Sequence, residues 1–143
     1  MTLSLWMLLG FAAWTLFVLS VGVGVYRWTL IFQGKADLTS FPGDIAHGSN
    51  ANRRAVRAHA NCVENLPVFA TIILVASAAH LHPPQMDGLA VATLAARMAQ
   101  SSIHMLLPET NVSIGFRFSF FLVQLLAMAA MAALLGMAAW RTP

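Results

Sequence analysis

Charge is the scarcest property of this 143-residue chain: 9% of its residues are charged and 59% are hydrophobic, and the mean hydropathy is +0.73. A soluble domain carries roughly 25% charged residues, so this balance excludes a water-soluble globule and points to an integral membrane protein. Cysteine is nearly absent too. Cys62 alone excludes an intramolecular disulfide and a multi-cysteine metal cluster, and it reads as a small packing residue. Tyr26 is the single tyrosine. Residues 1–26 hold no charge, and no basic segment precedes their apolar run. That run exceeds the ~7 to 15 residues of a signal-peptide core, so the first span is expected to remain in the mature protein. No internal repeat or low-complexity tract stands out.

What the chain has in abundance is apolar sequence, in four runs. They predict membrane helices over 3–25, 58–79, 89–107 and 118–140, together forming an all-α integral membrane four-helix bundle that occupies 1–143 as one domain. The breaks are Phe41-Pro42-Gly43-Asp44 and Gly48-Ser49-Asn50 in the first loop, His82-Pro83-Pro84 in the second and Pro108-Glu109-Thr110-Asn111 in the third. The net charge of +3 comes from basic residues at membrane boundaries, a pattern that suits topology and not nucleic acid. Arg27, Lys35, Arg53, Arg54 and Arg57 lie in or beside the first loop, whereas the second loop has no Lys or Arg. The positive-inside bias therefore predicts that the first and third loops are cytoplasmic and both termini lie on the opposite side. Tyr26 and Trp28 at the inner interface and Trp6 and Trp140 at the outer one agree with this, and Arg141 is a mild exception.

The second span carries the chemistry. Leu66 to Ala79 supplies about 14 apolar residues where a span needs about 20, so the polar half before it must enter the membrane. Arg54, Arg57, Asn61 and Glu64 there fall within roughly one quarter of the helix circumference. His59 lies on another side and reads as an interfacial or packing residue. The third helix carries Arg97, Gln100, Ser101 and His104 on one face. Counted inward from the same interface, Glu64 lies ~10 Å below Arg57 and Arg97 lies ~15 Å below Leu107. A Glu64–Arg97 pair would neutralise both charges. Polar residues so placed also serve as interhelical glue. Arg27, Arg54, Arg57 and Arg117, converging on one end with few carboxylates to pair them, suit an anionic ligand instead, because guanidinium binds carboxylate in bidentate fashion. Pro67 removes a backbone donor and predicts a kink below the stripe. Gly22 and Gly24 permit close approach of a neighbouring helix.

The run Arg54-x-x-Arg57-Ala58-His59-x-Asn61-x-x-Glu64-x-x-Pro67, at the start of the second of four helices, resembles the signature of the MAPEG family, the membrane-associated proteins in eicosanoid and glutathione metabolism. Arg27, Arg97 and Arg117 are supporting matches, and the resemblance covers essentially the whole chain. It implies a homotrimer that binds glutathione between helices of adjacent subunits. It further implies that Arg57, Asn61 and Glu64 contact the tripeptide, with Arg27 and Arg54 near its carboxylates. Glu64 then meets the γ-glutamyl ammonium, Arg97, or both. Arg117 corresponds to the family arginine near the thiol if the third loop is a few residues longer than usual, and a guanidinium at a helix N-terminus favours the thiolate.

Family tyrosines on the third helix correspond to Gln100 and His104 here, and the hydroxyl-bearing positions after Arg117 to Phe118 and Phe121. His104 can donate a hydrogen bond in a tyrosine's place. The function implied is thiolate addition to a lipophilic electrophile in the bilayer, or reduction of a lipid hydroperoxide, with glutathione as co-substrate and membrane lipids as surroundings. The alternative is a non-catalytic scaffold that binds lipid at the same inter-subunit cleft. A proton or solute pathway through Glu64, Arg97 and His104 lacks the broken helices or repeats of a transporter.

Overall fold

The computed structural model describes residues 1–41 and 48–141, and every described regular element is helical. Four helices succeed one another: α1 (Leu3–Phe32), α2 (Asn50–Ala78), α3 (Met86–Leu106) and α4 (Asn111–Arg141). The four predicted spans fall on these four helices. The helices outrun the spans because hydropathy registers only the apolar part, whereas the hydrogen-bonded backbone continues through the flanking polar residues. The turn expected at Phe41-Pro42-Gly43-Asp44 lies outside the described residues from Pro42 onward.

Local chemistry sets the helix ends. Thr2 Oγ1 accepts the Leu5 N–H at 3.4 Å to open α1, and Ser49 Oγ accepts the Asn52 N–H at 3.2 Å to open α2. At the start of α4, Thr110 and Ser113 cap each other reciprocally, the Ser113 N–H donating to Thr110 Oγ1 at 3.2 Å and the Thr110 N–H to Ser113 Oγ at 3.0 Å. α1 closes on Gly34, whose φ of +64° lets the Gly34 and Lys35 N–H groups reach the carbonyls of Ile31 and Leu30, both at 2.9 Å. α2 ends in the same motif with His80 at φ +56°.

Within α1 the segment Val18–Gly24 is wound as a π-helix, a local widening that occurs most often at functional positions. It packs on α2, and Gly22 makes that possible: a Cβ there would stand 3.1 Å from Ala55 Cβ and 3.2 Å from Met105 Sδ. Gly24 faces only its own helix, 3.5 Å from the Leu19 carbonyl, so of the two glycines Gly22 alone admits a neighbouring helix. α2 continues unbroken through Pro67, whose carbonyl accepts the Thr71 hydroxyl at 2.8 Å.

α3 and α4 pack most extensively, and α1 and α2 close over α3. Phe11, Cys62, Phe69, Ile73, Met86, Ala90, Met128 and Met131 form the apolar core, with the Phe11 and Phe69 rings 5.7 Å apart. Small residues let the backbones approach, among them the buried Ala55, Ala58, Ala90, Ala96 and Ala127. Large side chains such as Trp6, Leu16, Leu74, Phe118 and Leu126 point outward, the arrangement of a bundle solvated by lipid. Three helices, α1, α2 and α4, are long and apolar enough to cross a membrane. α3 has no stretch as apolar as theirs, and on it Arg97, Gln100, Ser101 and His104 are all buried.

Candidate functional site

Residues of the first and third loops meet at one end of the bundle. Tyr26 touches Gly48 there, and Glu109 reaches Arg57. The other end gathers the chain's start and the second loop, where the Ser4 N–H donates to Asp87 Oδ1 at 2.9 Å.

On α2 the stripe foreseen from spacing is one face of the helix. Ala55, Ala58 and Cys62 are buried against the bundle, whereas Arg57 and Glu64 are exposed and Arg54 and Asn61 half-buried. Asn61 uses its carbonyl to accept the Asn65 side-chain amide at 2.7 Å. His59 is half-buried and its Nδ1 has no partner. Arg54 and Arg57, with Asn50, Arg53, Pro108 and Glu109, line a polar cleft of 350 Å³. Asn61 and Glu64 lie on the same face one and two turns deeper, ~6 and ~10 Å along the axis from Arg57, and do not line it.

Arg117 reaches the cleft's edge, its Nη1 4.0 Å from Glu109 Oε1, with its side chain 15% exposed. Its position corrects one expectation. The sequence suggests a guanidinium at the N-terminus of the fourth helix, but α4 begins at Asn111, and the Thr110–Ser113 cap satisfies its first turn. Arg117 therefore sits in the second turn, beyond the first turn where the helix dipole is felt.

Arg27 is not in this cleft; its guanidinium stacks over the Phe41 ring at 5.5 Å. The Nε atoms of both Arg27 and Arg54 are buried and unpaired, leaving donors for an anion.

The polar face of α3 turns into the bundle. Arg97 is fully buried, its guanidinium 5.8 Å from the Phe11 centroid and next to Cys62, with Nε and Nη2 unpaired. No ion pair joins it to Glu64 among the described residues. Ser101 donates to the Arg97 carbonyl at 2.7 Å and lies 3.5 Å from Cys62 Sγ. His104 is buried with Nε2 unpaired, Gln100 Oε1 is unpaired, and Gln124 on α4 adds two more unpaired amide atoms. Gln124 escapes a reading of the sequence, because a lone amide in an apolar run has no spacing pattern to betray it. Glu109 escapes it as a site residue also, although it is the one acid in a loop flanked by arginines.

Beside the polar cleft, a second cavity of 470 Å³ is mostly apolar and runs along the π-helical part of α1, with Trp14, Phe17 and Val25 on one wall and Asn52, Ala55 and Met105 on the other.

A guanidinium-lined cleft and an apolar cavity share one end of a helical bundle in which three helices are long and apolar enough to cross a membrane. The MAPEG family model matches residues 4–137, and the chain belongs to the MAPEG family, which includes glutathione transferases and related proteins. No curated protein and no solved structure matches the chain.

Proposed function

We propose that the protein binds glutathione at the arginine-rich end of the bundle and adds its thiolate sulfur to a lipophilic electrophile, or uses the thiol to reduce a lipid hydroperoxide. All four helices cross the bilayer in this reading, the first and third loops are cytoplasmic, and the working assembly is a homotrimer. The observation that carries it is the exposure of Glu64 on the outer face of α2, at membrane depth and without an ion-pair partner among the described residues of its own chain. A carboxylate so placed costs at least about 2.5 kcal/mol facing lipid. A neighbouring subunit covering that face removes the lipid, and a ligand ammonium supplies the counter-charge.

The donor set fits the tripeptide. Its carboxylates match the guanidiniums of Arg54 and Arg57 in the cleft, and its ammonium matches Glu64, with Asn61 between. His104, with Nε2 free, takes the hydrogen-bonding role that a tyrosine has in family enzymes. When bound, glutathione supplies the nucleophilic thiol. Arg117 holds positive charge at the cleft edge in a partly desolvated position, which favours the thiolate over the thiol. The lipophilic partner enters sideways from the bilayer into the apolar cavity along α1.

Arg117→Ala tests the assignment. Turnover of a chromogenic lipophilic electrophile should fall about 100-fold while glutathione affinity changes little, since only the charge at the sulfur is removed. Equal loss of both would move Arg117 into the binding set. One observation favours a second reading: Gln100, His104, Phe118 and Phe121 stand where family enzymes present hydroxyls, as expected of a scaffold that binds lipid without thiol chemistry. Lipid binding with no turnover in the intact protein would select it.

A further inference from the structure

The third loop places an acid among the bundle's bases. Glu109 Oε1 lies 3.5 Å from Arg57 Nη1 on α2 and 4.0 Å from Arg117 Nη1 on α4, so one carboxylate oxygen faces two guanidiniums from different helices. Pro108 and Glu109 form the loop's wall of the 350 Å³ cleft, opposite Asn50, Arg53, Arg54 and Arg57. The loop backbone is pinned: Ser113 Oγ donates to the Pro108 carbonyl at 2.7 Å. The Glu109 side chain is free to turn away, being 47% exposed, and its partner Arg57 is 61% exposed. The Arg57–Glu109 contact, long and between two accessible groups, is weak, whereas a ligand carboxylate gripping a guanidinium through two parallel hydrogen bonds is stronger.

We propose that Glu109 is a built-in occupant of the anion site, standing at Arg57 where a ligand carboxylate would stand, with Arg117 at its edge, and that an anionic ligand enters by displacing it. This rests on the proposed function only for the identity of the ligand. Glu109 then sets both affinity and selectivity. Anions that offer a single weak contact do not dislodge it, while a ligand with several carboxylates does.

The test is calorimetric titration of glutathione into the full-length protein in nanodiscs, using the wild type, Glu109→Gln and Glu109→Ala. Asp37→Asn is the control: it removes an equal charge from the first loop and keeps the cap on the Leu38–Ser40 turn. Both Glu109 variants should bind about three- to ten-fold more tightly than wild type, with Asp37→Asn within about two-fold. Unchanged or weaker binding in both Glu109 variants overturns the proposal, as does equal tightening by Asp37→Asn, which would signal bulk charge instead of displacement. Failure of wild type and both variants to bind glutathione sinks the glutathione reading, and citrate titrated into the same proteins then decides this one. Tighter citrate binding by the Glu109 variants than by wild type and Asp37→Asn supports displacement; equal binding, or none, overturns it.

Discussion

Asp87 at the start of α3 caps the first turn of α1: its Oδ1 accepts the Ser4 N–H at 2.9 Å across 83 positions of sequence, and its Oδ2 lies 3.3 Å from His82 Nε2. A carboxylate at a helix N-terminus satisfies an orphan donor and opposes the positive dipole end. Asp87→Ala should therefore cost about 1 kcal/mol, and Asp87→Asn less, because the amide oxygen keeps the hydrogen bond. Thermal unfolding in detergent reads the difference, and an unchanged melting temperature for Asp87→Ala would contradict the cap.

Gly22 marks a close approach of α1 to α2 and α3. The atoms nearest an added Cβ are Ala55 Cβ, fixed to the α2 backbone, and the more pliant Met105 Sδ. Gly22→Val should push the helices apart, cost about 1 to 3 kcal/mol and reshape the apolar cavity that Gly22 lines. Gly88 offers the comparison, since nothing lies within 4 Å of a Cβ built there. Gly88→Ala should be neutral or stabilising by a few tenths of a kcal/mol, through helix propensity alone. Equal melting temperatures for Gly22→Val and wild type would remove the packing argument.

Arg97 separates charge from volume. It is fully buried over Phe11, with two of its guanidinium nitrogens unpaired. Removing a buried charge while filling its space is often neutral or stabilising, whereas truncation leaves a cavity. Arg97→Met should hold stability within about 1 kcal/mol of wild type, and Arg97→Ala should lose about 2 to 4 kcal/mol. If Arg97→Met were as damaging as Arg97→Ala, the charge itself would be structural, and a direct role for Glu64 as its counter-ion would return.

The helices and the α2 stripe are legible in the sequence for the same reason. Periodicity and apolar content are local properties, so Arg54, Arg57, Asn61 and Glu64 fall on one face and Ala55, Ala58 and Cys62 on the other without knowledge of any partner. Relationships between helices are not legible. Matched depth puts Glu64 where its charge is felt at Arg97, but depth fixes one coordinate and leaves rotation free, and Arg97 turns towards Phe11 without closing an ion pair to Glu64 among the described residues. α4 starts at Asn111, about two turns before the apolar run from Phe118 onward, because the signal that starts the helix is the Thr110–Ser113 cap and not hydropathy. The π-helical winding of Val18–Gly24 has no mark in a run of apolar residues and glycines.

In the proposed function, the arginine-rich end of the bundle binds glutathione through the α2 stripe. Calorimetric titration of glutathione into the protein in nanodiscs, wild type beside Arg57→Ala and Glu64→Gln, tests it most directly. Saturable binding in wild type, lost in Arg57→Ala and weakened at least about ten-fold in Glu64→Gln, is the predicted result. No binding to wild type, or binding that both substitutions leave untouched, would contradict it.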